Sequence, residues 1–381
     1  MTNSTVILKF FVGAAIFLSA SSCIKVEADG DTVPSKTISY QVINCRLNSP
    51  DVEKTATKAG TKPFDDNGSF ISSAYWLPAG QAWDDKDGEG NYYRNSASVY
   101  IDKAKISKNG DVWKDASKSY YWPKDGSLTF FAYAPSDLPK ASGTDDGVSI
   151  SNAGVSYKGW EAKGDRLKTD FMAAVPAKDK SRNTNEYYSD GVPMLFKHKL
   201  AQIQFVAFVE KDDDGTDDDI YIESLVLTNI YSVGDFAQNN TDEGAWSKRS
   251  QPTEYVLYQT DTPVKLPTTE LKLMPSELET MLMIPQNLSA LDADDISIGV
   301  SRKAPKIIIT YYQGTTAASD RKTAETTFEN IRSYLWSMGT TVKYSISFGD
   351  TGIPILFDPS VNNWSDGEGI GLIVGGGVLE D

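Results

Sequence analysis

Residues 200–210, LAQIQFVAFVE, decide the fold class. Ala201, Ile203, Phe205, Ala207 and Val209 are apolar at every second position, and Gln202, Gln204 and Glu210 fall on the other face. That period places one set of side chains on one side of an extended strand, whereas a helix would scatter them around its circumference. Val342, Tyr344, Ile346 and Phe348 repeat the pattern, alternating with Lys343, Ser345 and Ser347. Ile38-Ser39-Tyr40-Gln41-Val42, Leu128-Thr129-Phe130 and Ile296-Ser297-Ile298-Gly299-Val300 repeat it more briefly. Residues 306–312, KIIITYY, form a continuous β-branched and aromatic run expected as a core strand.

Turn-rich segments separate these runs: DDNGS (65–69), DDKDGEGN (84–91), SKNGD (107–111) and GTDDG (143–147). Helical periodicity is almost absent. Many short strands joined by such turns predict an all-β chain of antiparallel β-sandwiches. No repeat of 20–50 residues is present, which disfavours a propeller or solenoid. A chain of 381 residues has room for two domains. The polar stretch DKSRNTNEYYSDG (179–191) is the expected linker, dividing the chain into sandwiches over residues 38–190 and 191–365.

Charge and composition exclude several functions. Acidic residues number 52 against 37 basic ones, a net charge of −15 at pH 7, so a nucleic-acid partner is not expected. The chain has one histidine, His198, which rules out zinc sites built on two or three imidazoles. A Ser-His-acid triad would have to run through that residue, which lies between two lysines at the head of a strand and reads as structural. Residues 84–89 loosely resemble a calcium loop but lack the glutamate expected at its twelfth position, and the acids of 211–219 are contiguous instead of alternating. Both read as solvated hairpin tips. The glycines from Gly367 to Gly377 precede no helix that could hold a nucleotide phosphate. No catalytic residue, cofactor or metal is therefore expected. The eight tryptophans are expected to fill cores and interfaces, whereas a flat row of exposed rings would indicate a glycan-binding surface lipoprotein.

The N-terminus reads as an export signal. Lys9 precedes an apolar run from Phe10 to Leu18 that is shorter than the about 20 residues needed to span a membrane. Small residues then lead to Cys23, and this arrangement resembles a bacterial lipobox, in which the cysteine thiol is acylated, for example with palmitate, and becomes the mature N-terminus. Residues 1–22 are accordingly the expected signal peptide and 23–37 a polar tether. Lipidation of Cys23 would leave Cys45 without an intrachain partner, so no disulfide framework is expected. Asp31-Thr32-Val33 resembles a short bacterial O-glycosylation site.

Several segments, taken in order, resemble the fimbrillin family of Bacteroidales, the type V pilins and their Mfa-like relatives. They are YYWPKDGSLTFFAYAP (120–135), LKTDFMAAV (167–175), VPMLFKHKLAQIQF (192–205), LVLTNIYSVGDF (225–236), MLMIPQNL (281–288), LWSMGTTVKYSISF (335–348) and ILFDPSVNNW (355–364). The resemblance implies two tandem transthyretin-like antiparallel β-sandwich domains in a lipoprotein anchored at the outer membrane and facing outward. In polymerising members of the family a trypsin-like protease removes the acylated segment with the first strand. A neighbouring subunit's strand then fills the groove, and main-chain hydrogen bonds to an unpaired edge supply the affinity.

On this resemblance Ile38, Tyr40 and Val42 form the leaving strand, and Lys58 or Arg46 marks the cleavage site. The tail, residues 366–381, donates a strand through Ile370, Leu372 and Val374. The implied partners are other fimbrial subunits in a homo- or heteropolymer, the processing protease, the outer membrane through the lipid anchor, and an unidentified surface receptor. The alternatives are a fimbrial tip or anchor accessory protein and the glycan-binding lipoprotein.

Overall fold

The computed structural model describes residues 37–44, 68–139, 147–182, 191–210, 219–289, 303–331, 335–349 and 355–363. Among them there are strands and short 3-10 turns but no α-helix. The first strands are β1 (Tyr40–Asn44), β2 (Ser69–Leu77), β3 (Ser98–Asn109), β4 (Val112–Asp115) and β5 (Ser127–Ala134). Next come β6 (Val148–Ser151), β7 (Gly154–Glu161), β8 (Met172–Ala174), β9 (Ala177–Lys180) and β10 (Val192–His198). The long strands β12 (Ile220–Ala237) and β13 (Ala245–Lys265) follow β11 (Ala201–Val209). The remainder are β14 (Leu271–Lys272), β15 (Met281–Met283), β16 (Gln286–Asn287), β17 (Lys306–Gln313), β18 (Arg321–Thr327), β19 (Leu335–Trp336), β20 (Thr340–Phe348) and β21 (Leu356–Asn363).

The all-β expectation holds. Three main sheets carry the fold, with a small β16–β19 pair beside them, and most pairings are antiparallel. The first sheet runs β2-β3-β4-β1-β10-β8-β5-β9, and an additional β2–β5 pairing joins its two sides, so all of its strands but β9 close into a ring. The second runs β14-β11-β20-β21, with β15 also on β11; the third runs β18-β17-β12-β7-β6, with β13 along the other edge of β12. Among the described residues two pairings are parallel, β1 with β10 and β11 with β20.

Alternation places the buried side chains. Along β11 the five residues of the period-two set are all buried, and on β20 so are Val342, Tyr344, Ile346 and Phe348. These pack with Ile222, Leu225, Leu227, Ile307 and Ile309 of the third sheet in the larger of two hydrophobic cores. The smaller core belongs to the first sheet and takes Ile38, Tyr40, Phe70, Ile101, Trp113, Phe130, Met194 and Phe196 among others. Strand β5 is the wall between them. Its Phe130, Ala132 and Ala134 enter the smaller core, and Phe131 and Tyr133 enter the larger. Burial on both faces explains why residues 130–134, FFAYA, are an unbroken apolar run instead of continuing the alternation of Leu128-Thr129-Phe130.

KIIITYY departs from expectation. In β17, Ile307 and Ile309 are buried but Lys306 and Ile308 are half-buried, because the third sheet packs on the core through one face only. Two strand assignments cross the expected linker. Strand β10, after residue 190, joins the first sheet, and β6 and β7, before it, join the third. Asp179 and Lys180, at the start of the expected linker, belong to β9. The run from Ile296 to Val300 lies outside the described residues.

Candidate functional site

The expected leaving strand has a built seat. Strand β1 lies between β4 and β10 and completes the ring of the first sheet. It pairs in parallel with β10 over its whole length, from Tyr40 opposite Val192 to Asn44 opposite Phe196, and meets β4 at Tyr40 opposite Trp113. Just ahead of it, Thr37 bridges to Tyr121, and the Ile38 N–H donates to the Tyr120 carbonyl at 2.7 Å. On the other side the Val192 N–H donates to the Ser39 carbonyl at 2.8 Å. Two of the sequence segments that carry the resemblance, YYWP and VPMLF, are thus the flanks of this seat.

The side chains of one face point into the smaller core. Ile38 is 5% exposed and Tyr40 2%, and Val42 packs half-buried against the same cluster. Full burial of an aliphatic or aromatic side chain is worth about 1.5–3 kcal/mol, so Ile38 and Tyr40 anchor the strand. The Tyr40 ring meets Phe70 and Phe130 edge-on, with centroids 5.6 and 5.9 Å away. Its hydroxyl is enclosed and makes no hydrogen bond of ordinary geometry. Burial drives this phenol far above the usual tyrosine range, tempered by the neighbouring Ser72 side chain.

Gly191 makes the close approach possible. Its φ is +91°, and a Cβ there would stand 2.8 Å from the Tyr40 nitrogen and 2.9 Å from the Ser39 carbonyl carbon. Any side chain at 191 would therefore collide with the backbone of β1. Sequence reading treated this glycine only as the end of a linker. Its place one residue before a strand was the available signal for a tight backbone approach.

The other expected sites divide cleanly. Cys23, Arg46, Lys58, Ile370, Leu372 and Val374 lie outside the described residues, as does Asp31-Thr32-Val33. His198 ends β10, and its Nδ1 lies 2.8 Å from Asp170 Oδ2, tying that strand to the segment before β8. In the 84–91 loop, Asp87 accepts hydrogen bonds from the Glu89 and Asn91 N–H groups at 2.9 and 2.8 Å, and the Asn91 bond leads in holding its carboxyl below the usual range. Asp84 pairs with Arg94 at 2.9 Å and Lys178 at 2.8 Å. These carboxylates are engaged within the protein. Trp83, Trp113, Trp160, Trp246 and Trp336 are buried in the two cores, while Trp76 and Trp122 are half-buried. Tyr121, 48% exposed, is the only exposed aromatic side chain among the described residues.

The fimbrillin-like family pattern matches residues 74–364, from within β2 to just past β21. The chain belongs to the fimbrillin-like family. A fimbrium subunit, Fim1C, of Phocaeicola vulgatus strain ATCC 8482 is 25% identical over 229 residues, which are 55% of this chain and 55% of that protein. The match thus spans about half the length of this curated relative. The crystal structure of a fimbrial protein from Bacteroides vulgatus ATCC 8482 shares the fold, with a TM-score of 0.55 and 19% identity over 87% of this chain and 100% of that one.

Proposed function

We propose that this fimbrillin-like chain is a non-enzymatic structural subunit of a cell-surface fimbria that assembles by strand exchange. The observation that carries the reading is the seat of β1: an N-terminal strand, joined to the rest by residues 45–67, completes a ring of strands and fills a core with Ile38 and Tyr40. Removing such a strand would expose the unpaired edges of β4 and β10 together with an apolar groove, the combination that β-augmentation requires.

The rest of the proposal follows the family resemblance. The chain would be exported and acylated at Cys23, placed on the outer membrane as a surface lipoprotein, and cut near Lys58 or Arg46. Its tail, through Ile370, Leu372 and Val374, would be given to the next subunit's groove. Two transthyretin-like sandwiches belong to the same proposal, supported by the presence of two cores, with β10 packed on the first sheet and β6 and β7 on the third across residues 190–191. The polymer would support adhesion to a surface.

Trypsin treatment of the purified protein tests this reading. A nick within residues 46–62 should release β1 and yield high-mass polymers visible by size-exclusion chromatography and electron microscopy. Persistent monomers after a clean nick would overturn the stalk-subunit reading. Unchanged fibre length after truncation beyond Trp364 would remove the tail as donor.

A further inference from the structure

The seat of β1 also determines what else fits in it. We propose that the groove between β4 and β10 selects an extended strand carrying an aromatic ring where Tyr40 now sits and aliphatic residues two positions to either side. The exchanged strand would then come from a subunit that supplies such a ring. This inference rests on the strand-exchange reading above.

The pocket is aromatic on several sides. Phe70 of β2 and Phe130 of β5 meet the Tyr40 ring, and Phe70 in turn lies 5.8 Å from Trp113 of β4 and 5.2 Å from Phe196 of β10. These walls come from four strands that remain when β1 leaves, so a smaller side chain would leave a void that rigid neighbours close only in part. The ring dominates recognition, because the Tyr40 hydroxyl makes no hydrogen bond of ordinary geometry and is met only by the neighbouring Ser72 side chain. Phenylalanine satisfies this pocket as well as tyrosine or better.

Register is fixed as well. The backbone at Ser39–Tyr40 passes directly over Gly191, and the Val192 N–H bonds to the Ser39 carbonyl. A slip of one residue would turn a polar side chain such as Ser39 or Gln41 into the aromatic pocket. An incoming strand in the register of β1 therefore sets its ring opposite Val192. Residues 366–381 of this chain contain no aromatic residue, so its own tail offers only Ile, Leu or Val to that pocket. A strand drawn from residues 366–381 accordingly suits a groove of different shape.

The test uses the full-length chain carrying Tyr40→Ala, which loosens β1 and empties the pocket. Synthetic peptides Ile-Ser-Tyr-Gln-Val-Ile-Asn, the same peptide with Phe or Leu in place of Tyr, and a peptide of residues 369–377 are titrated by fluorescence anisotropy. Phe should bind at least as tightly as Tyr, Leu about tenfold or more weakly, and the tail peptide no better than Leu. Equal binding of the Tyr, Phe and Leu peptides overturns aromatic selection but leaves strand exchange standing, whereas binding of none overturns both. Thermal melting of full-length Tyr40→Phe and Tyr40→Leu gives an independent reading should the alanine variant not fold. The Phe variant should melt at or above the parent and the Leu variant several degrees below it. A Leu variant that melts with the parent overturns the proposal.

Discussion

Gln238 Nε2 donates to the Ala174 carbonyl at 2.9 Å and so carries a buried hydrogen bond from the end of β12, in the third sheet, to β8, in the first. Its Oε1 accepts the Val155 N–H at 2.8 Å, and Gly154 leaves room for it, since a Cβ there would stand 2.7 Å from Gln238 Cβ. One amide thus serves two buried backbone groups on different sheets. Gln238→Leu keeps the bulk but orphans the Val155 N–H, at a cost of about 1–3 kcal/mol. Urea denaturation should show that loss, and an unchanged midpoint would show the amide to be dispensable.

Gly191→Ala should unseat β1 without dissolving the rest of the fold. The clash is with the Ser39–Tyr40 backbone, and the positive φ adds about 1–3 kcal/mol of strain. Hydrogen exchange should quicken at Ile38 and Val192, whose N–H groups bond across the seat, while β12 and β17 stay protected. Equal protection at Ile38 in both proteins would mean that the seat tolerates a methyl group.

The fold was legible where one face of a strand is buried. The period-two sets of β11 and β20 landed whole in the larger core. It was less legible where burial does not alternate. Residues 130–134, FFAYA, are continuously apolar because they divide two cores, whereas the equally continuous KIIITYY leaves Ile308 half-exposed, and no local pattern distinguishes the two. Sheet membership was hidden for another reason. Pairing β10 with β1 joins residues about 150 positions apart, and only tertiary packing decides such partners. At the site, Ile38, Tyr40 and Val42 were readable from alternation, but the ring that holds Tyr40 is built from four distant strands and was not.

Acid should favour the fold through Asp179. Burial, reinforced by Asp84 and Asp85, raises its carboxyl above the usual aspartate range against the pull of the Trp83 N–H and the Ser127 hydroxyl. The folded value lies above the unfolded one, so the folded state holds the proton more tightly. The destabilisation is absent below the unfolded value of about 4, grows as pH rises through the folded value, and then levels off. Asp179→Asn removes the titration, and asparagine tolerates the φ of +54° found there. The melting temperature of the variant relative to the parent should therefore rise between pH 3.5 and pH 7. A difference that does not change with pH would sink this account.

Tyr344 serves the larger core twice. Its ring stacks on Phe205 at 4.7 Å and 14°, joining the parallel strands β20 and β11, and its hydroxyl accepts the Trp336 indole N–H at 3.0 Å. The two roles separate by substitution. Tyr344→Phe keeps the stack but strips the buried indole of that acceptor, costing about 1–3 kcal/mol. Tyr344→Ala loses both and opens a cavity, costing about 3–5 kcal/mol by analogy with other large-to-small aromatic changes. Equilibrium unfolding should place the phenylalanine variant between parent and alanine variant. If phenylalanine matches the parent, the indole has found another acceptor, and the stack alone accounts for what Tyr344 contributes to the packing of β11 on β20.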